Sequence, residues 1–352
     1  MAEQLSLHDQ AHVRLQEKLR RELGPAVLEA LADPRVIEVM LNPDGHLWID
    51  ELGVGMRDTG SRISAPQVEN LLGTVAATLG RIITPERPIL EGELPIGDSR
   101  FCGLLPPVVV DPSFCIRKAA ARVYCLDDYV NAGIVDGSPP AEIASIDRFP
   151  TRGHAAVLRH AIRARQNILV VGGTQSGKTT LANALLHELS AFVGSTQRVL
   201  TIEETRELRC TVPNSIALRT TETVDMTRLV RTSLRLRPDR IIVGEVRGAE
   251  ALAMLKAWNT GHPGGMATVH ANDARSGLIR LEQLVQEANV PPQPALIAEA
   301  VDLIVVIVRT PTGRKITEVA RVRGTTPSGY DLDYIDSTLE GAPLLHRRLA
   351  AV

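Results

Sequence analysis

The chain has 352 residues, with 39 Lys and Arg against 41 Asp and Glu, 44% hydrophobic residues and 3% aromatic ones. That length implies two or three domains, with cores built from aliphatic side chains. The net charge of −2 argues against a strong nucleic-acid binder, which is usually basic overall.

The charge is unevenly placed. Residues 1–150 carry −8 and residues 151–352 carry +6. Such a split suits a two-domain chain whose acidic front packs on a basic back between subunits. The opening MAEQLSLHDQAH has neither a basic n-region nor an apolar h-region, so no signal peptide is expected. The apolar stretch Ala295 to Val308 is interrupted by Glu299 and Asp302 and is too short to span a bilayer. The expected location is the cytoplasm, including the inner face of a membrane. The four cysteines show no C-x-x-C pair, so they are expected to be small buried residues rather than a disulfide framework or a stable zinc site.

In chain order, residues 10–32 read as an amphipathic helical region interrupted at Gly24-Pro25. Val36–Leu41 and His46–Asp50 read as strands joined by the turn Asn42-Pro43-Asp44-Gly45. Pro66–Leu79 reads as a helix with Val68, Leu71, Leu72, Val75 and Leu79 on one face, and Arg100–Leu105 and Ser113–Arg117 as further strands. These elements predict an α+β domain over 1–123. Residues 124–150, with Gly133, Gly137, Pro139, Pro140 and Pro150, read as a linker holding a short helix. From 151 to 352, apolar strands alternate with helices, which predicts a parallel sheet of the RecA-like type.

The segment Asn167 to Thr180 carries the chemistry. Gly172, Gly177, Lys178 and Thr179 form G-x-x-x-x-G-K-T, the P-loop spacing. An apolar strand precedes it and a helix with Leu181, Leu185, Leu186 and Leu189 follows. Strand, glycine turn and helix N-terminus make a phosphate cradle from Gly172, Gly173, Thr174, Gln175, Ser176, Gly177, Lys178, Thr179 and Thr180. Lys178 is expected to reach the β- and γ-phosphates of ATP, and the Thr179 hydroxyl to ligate Mg²⁺.

Three further segments follow. Thr201–Leu208 ends a strand in the adjacent carboxylates Glu203 and Glu204, which either face the nucleotide or form a solvated acidic turn. Arg240–Gly244 leads into Glu245 where a Walker B acid belongs, able to support Mg²⁺ through water or to orient the attacking water. Thr260–Asn272 brackets a Gly-rich turn and a short strand with His262 and His270, a candidate pair of γ-phosphate sensors.

P-loop, acidic box, Gly-Glu Walker B and G-H…T-x-H-A-N box, in that order, resemble the secretion ATPases of type IV secretion and conjugation, type II secretion and type IV pili. The likeness covers roughly residues 20 to 325. Asn42-Pro-Asp-Gly45 with Trp48, LPIGDSRF, LPPVV and FCIRK are most similar to the conjugal-transfer branch. The tetracysteine zinc module usual in the type II branch is absent from the sequence. Gln175 stands where a glycine is common.

The resemblance implies a homohexameric ATPase, each subunit pairing a PAS-like N-terminal domain with a RecA-like C-terminal one, working with inner-membrane components of a secretion or mating-pair apparatus. It assigns Glu203 to polarising water, Glu245 to the Walker B role with Mg²⁺ and His270 to sensing. It also makes Arg100 and Arg117 the residues that approach the phosphates, where a guanidinium fits an anion bidentately. A pilus or type II secretion motor shares this architecture. A DNA-translocating RecA-like ATPase is kept open by seven arginines between Arg219 and Arg247, so nucleic-acid contact stays undecided at this point. Intact Lys178, Thr179, Glu203 and Glu245 argue against a non-catalytic scaffold.

Overall fold

The computed structural model describes residues 7–97, 99–118, 123–136, 150 and 152–337. The chain divides into two compact units, Met1–Ala121 and Arg122–Val352.

In the first unit, helix α1 (Leu7–Ala32) is broken at Gly24, whose φ of 71° leaves the helical region just before Pro25. Strands β1 (Val36–Leu41), β2 (His46–Glu51) and β3 (Gly55–Arg62) precede helix α2 (Ala65–Thr78), and β4 (Ile89–Leu94), β5 (Ser99–Leu104) and β6 (Ser113–Arg117) follow it. The six strands form one sheet in the order β3-β2-β1-β6-β5-β4, antiparallel throughout. The β1–β2 turn needs Gly45: φ is 82°, and a Cβ there would lie 2.8 Å from the Ile63 carbonyl oxygen. Leu19, Leu23 and Val27 of α1 and Leu71, Leu72 and Val75 of α2 bury one core with Val39, Leu41, Leu47, Phe101, Phe114 and Ile116 of the sheet.

In the second unit, α3 (Leu126–Asn131) and α4 (His154–Arg163) lead into β7 (Ile168–Val171), α5 (Lys178–Val193), β8 (Val199–Glu203), β9 (Ser215–Arg219), α6 (Met226–Ser233) and β10 (Arg240–Val243). Then come α7 (Glu250–Asn259), β11 (Met266–Val269), α8 (Ala274–Gln286), α9 (Pro294–Ala300), β12 (Leu303–Thr310), β13 (Gly313–Thr326) and β14 (Gly329–Tyr334). The eight-stranded sheet runs β14-β13-β12-β7-β11-β10-β8-β9. From β12 to β9 it is parallel, as expected, while the unexpected strands β13 and β14 are antiparallel and make the whole sheet mixed. The apolar run around residues 295–308 accounts for this: it divides into α9 and β12, and β12 turns back into the polar hairpin.

Helices cover both faces. Along β7, Ile168 and Val170 enter one core with Leu158, Leu181 and Leu185, while Leu169 and Val171 enter the other with Leu255, Leu278 and Leu281. A strand buried on both faces reads as a continuous apolar run, as this one does.

The expected linker is also revised where it is described. Leu126, Tyr129 and Val135 lie in the core of the second unit, so 124–136 belongs to that unit. Residues 137–149 lie outside the described residues.

At the sheet edge where β7 begins, two buried polar side chains tie the strands together. Asn167 donates from Nδ2 to the Ala300 carbonyl and accepts from the backbone N–H groups of Gly264 and Gly265 (2.8 Å each). The Arg240 guanidinium donates to the Gly264 and Ile162 carbonyls and to Gln197 Oε1. Burial pushes its ionisation down to about 10. The four cysteines are free and half-buried rather than buried. Among the described residues, no helix is long and apolar enough to cross a membrane.

Candidate nucleotide site

Parallel strands end at a common edge, and here β7, β11, β10 and β8 stand side by side. The P-loop leaves β7, His270 follows β11, Gly244-Glu245 follows β10 and Glu203 closes β8. The spatial order is therefore P-loop, His270, Glu245, Glu203. The chain order differs, because β11 inserts between β7 and β10. This is the crevice at the carboxyl edge where open α/β sheets bind ligands.

The loop from Gly172 to Gly177 is tightly built. A Cβ on Gly172 would lie 2.4 Å from the Ile307 carbonyl oxygen and 2.4 Å from Ser176 Oγ. Gln175 and Gly177 take left-handed φ values of 58° and 99°. Turns of this kind let successive N–H groups converge on an anion. The Ser176 hydroxyl is buried and has no hydrogen-bond partner among the described residues. Lys178 opens α5 and is 7% exposed. With Thr179 and Thr180 in the first helical turn, the loop presents the positive end of the helix dipole. A compact anion such as a nucleotide phosphate fits these donors.

Lys178, His270 and Glu245 are brought into one chain of contacts. Lys178 Nζ donates to the Gly173 carbonyl (3.0 Å) and lies 3.3 Å from both ring nitrogens of His270. His270 Nε2 is 2.6 Å from Glu245 Oε1. Burial, then the Lys178 charge, pushes the His270 ionisation below its usual value, against the opposing pull of Glu245. Both effects favour the uncharged ring, in which one nitrogen donates and the other accepts.

Glu203 is held differently. It is 5% exposed, and its Oε1 accepts from the backbone N–H groups of Glu207 (3.0 Å) and Leu208 (2.8 Å). Its side chain lies against Gly244, where an added Cβ would be 2.8 Å from Glu203 Cγ. The acidic box is thus an anchored carboxylate. The solvated-turn alternative fits Glu204, whose side chain is 50% exposed.

Arg247 was missed in the sequence, where it counted only as one of seven arginines. Its guanidinium donates to Glu245 Oε2 through Nε (2.9 Å) and Nη2 (2.5 Å), and to Glu204 Oε2 through Nη1 (3.0 Å). The spacing Glu245-x-Arg247 at a strand exit was the only available signal. His262 does not join the site. It lies before β11, with Nδ1 3.1 Å from the Pro238 carbonyl oxygen, so the expected sensor pair reduces to His270.

Arg100 and Arg117 belong to the first unit, as register partners across β5 and β6. Both lie off the core-facing rows, and Arg117 pairs with Glu38 (2.5 Å). Among the described residues, no group of three His, Cys, Asp or Glu side chains is placed to hold a metal ion.

The profile of the Type II/IV secretion system protein family matches residues 141–331. A probable conjugal transfer protein TrbB of Sinorhizobium fredii is 48% identical over 323 residues, covering 92% of this chain and 94% of that one. The conjugal transfer protein TrbB of Rhizobium radiobacter is 46% identical over 324 residues, covering 92% and 95%. Among solved structures, the ATPase DotB of Yersinia pseudotuberculosis superposes with a TM-score of 0.55 at 18% identity, covering 84% of this chain and 78% of that one, a likeness of fold. With its nucleotide cradle, its three edge residues and relatives near half identity across nearly its whole length, the chain belongs to the Type II/IV secretion system protein family.

Proposed function

We propose that this protein is an ATP-hydrolysing motor of a conjugative type IV secretion system, working as a homohexamer beside inner-membrane components of the mating apparatus. One observation carries the chemistry: Lys178, His270, Glu245 and Glu203 stand in a row at the carboxyl edge of the parallel strands β7, β11, β10 and β8, beside a built phosphate cradle. The TrbB relatives carry the biological setting.

The residues divide the work. Backbone N–H groups of the loop and Lys178 Nζ bind the β- and γ-phosphates, Lys178 exchanging the Gly173 carbonyl for phosphate oxygen. The Thr179 hydroxyl and, once freed from Arg247 and His270, Glu245 would hold Mg²⁺. When bound, Mg²⁺ neutralises charge developing on the phosphate oxygens. Glu203, fixed by two backbone donors, orients and polarises the attacking water. His270, between Lys178 and Glu245, reports on whether the γ-phosphate is present. The first unit is the counterpart of the family's PAS-like domain, and Arg100 and Arg117 approach the phosphates from it.

Lys178→Ala tests the reading. Lost transition-state charge contacts of this kind cost about 10²-fold or more. ATP turnover should fall to background, and plasmid transfer from donor cells carrying only this variant should fall with it. A variant retaining more than about a tenth of the parent rate would overturn the assignment.

A further inference from the structure

The site described so far takes nothing from the C-terminal hairpin, yet β12 lies next to the P-loop strand. β12 pairs with β7 in parallel, and their last register pair is Val306 with Val171. Beyond that pair the P-loop leaves the sheet, while β12 runs on to Thr310 paired with β13 alone.

Three contacts join them. The Ile307 carbonyl oxygen occupies the space a Cβ on Gly172 would need. Arg309 Nη1 donates to Gln175 Oε1 at 3.1 Å. Arg314, the register partner of Arg309 on β13, lies against Gly177, with Cδ and Nε 2.9 and 3.0 Å from where a Cβ would stand. The hairpin thus meets the loop at its start, apex and end.

The apex contact is the informative one. Gln175 holds a φ of 58°, a region that favours glycine and that a long side chain enters at a cost. Such a residue persists when its surroundings over-determine the conformation. The hydrogen bond from Arg309 supplies that constraint. Glycine at this place would reach the same φ freely but would leave the apex unanchored.

We propose that Arg309 is a positioning residue for the P-loop, acting through Gln175 to hold the apex in its nucleotide-binding conformation. The proposal rests on the P-loop assignment above. It makes nucleotide affinity depend on the C-terminal hairpin, which is 134 residues away from the loop in sequence.

The test is a double-mutant cycle on the full-length protein, reading the Kd for a fluorescent ATP analogue with Mg²⁺ and the KM and kcat for ATP. Loss of one solvent-exposed side-chain hydrogen bond corresponds to about a three- to tenfold weakening, the charge of the donor being screened by water. Arg309→Ala is expected to raise Kd and KM by that factor, with kcat falling no more than about twofold. Gln175→Gly should weaken binding by a similar factor. The double variant should be no weaker than the worse single one, because both remove the same contact. Arg309→Lys keeps a donor and should retain most of the affinity.

Two results would overturn the proposal: an unchanged Kd in Arg309→Ala, or losses that multiply in the double variant. The second would mean that Arg309 acts on the nucleotide by its charge rather than through Gln175. Lys178→Ala run alongside separates the two ideas. If that variant hydrolysed ATP normally, the P-loop assignment would fall whatever Arg309 does.

Discussion

Two adjacent loop glycines should respond in opposite ways to the same methyl group. In Gly172→Ala the new Cβ would stand 2.4 Å from the Ile307 carbonyl oxygen, about 1 Å short of the 3.4 Å at which ordinary contact begins. The Ser176 hydroxyl, also at 2.4 Å, can rotate away, but the Ile307 carbonyl is backbone of β12, paired there with Ile316 of β13. Either the loop or β12 must move. Overpacking of this kind costs about 1–3 kcal/mol. At 2–4 °C per kcal/mol for a domain of this size, that corresponds to roughly 2–12 °C in Tm. Lys178 Cγ, 3.2 Å from the added atom, would be displaced too, so ATP affinity should fall along with stability. Gly173→Ala meets nothing within 4 Å and has no left-handed φ, so its nucleotide-free Tm should stay within about 2 °C of the parent. Differential scanning calorimetry with and without ATP reads both quantities. A Gly172→Ala protein that melts and binds ATP like the parent would refute the packing argument.

Glu245→Gln and Glu203→Gln keep side-chain volume and remove the charge, so nucleotide affinity should change little while turnover drops about 10²-fold or more, as a filter-binding assay paired with phosphate release would register. Thermal stability should fall on acidification. The ionisations of His270 and His160 are both depressed, by burial first and then by Lys178 for His270 and by Arg321 and Arg163 for His160. Such a group binds its proton more readily when unfolded, so stability is held above the ordinary value near 6.5 and lost as pH drops through it. His270→Gln should flatten part of that slope in melting curves taken between about pH 7.5 and 5.5, and a slope identical to the parent's would remove His270 from the explanation. Alanine at Arg100 should lower turnover while moving Tm by only a few degrees, and alanine at Arg117 should lower turnover with a larger loss of Tm, because it leaves the buried Glu38 carboxylate without its ion pair. Unimpaired hydrolysis in both variants would rule out a role for the first unit's arginines at the phosphates.

Much of the second unit was legible because its elements are buried on both faces. Ile168–Val171 and Arg240–Val243 are short apolar runs bounded by charge or glycine, and burial imposes that composition. Strands β3, β9, β13 and β14 were not legible. β3, β9 and β14 lie at sheet edges and β13 lies next to one, so polar side chains facing solvent interrupt the few buried ones, such as Val319 and Tyr330. The site was legible residue by residue: Lys178, Glu245 and His270 follow from motif and context. Its layout was not, because nothing in the order P-loop, Glu203, Glu245, His270 announces that β11 inserts beside β7. Arg247 and Arg309 escaped notice for a related reason. Arg309 meets a partner distant in sequence and Arg247 meets Glu245 and Glu204 at strand exits, and a lone arginine carries no periodicity.

The ties made by Asn167 and Arg240 have a further meaning for the opposite edge of the sheet. β7, β10 and β11 are four residues each, about 13 Å long at the usual rise. Their side chains are almost all aliphatic on both faces, so apolar burial alone discriminates poorly between neighbouring alignments. A slip of one residue in β11 against β7 would turn His270 to the other face and part it from Lys178. The Asn167 amide, with two N–H groups and one carbonyl to satisfy, accepts only one alignment, and the buried guanidinium of Arg240 adds a second such requirement. Buried polar groups of this sort select among packings more than they deepen the favoured one. The alignment of Lys178, His270 and Glu245 is therefore spelled out at the far end of their strands, in a hydrogen-bond code that takes no side chain from the crevice itself.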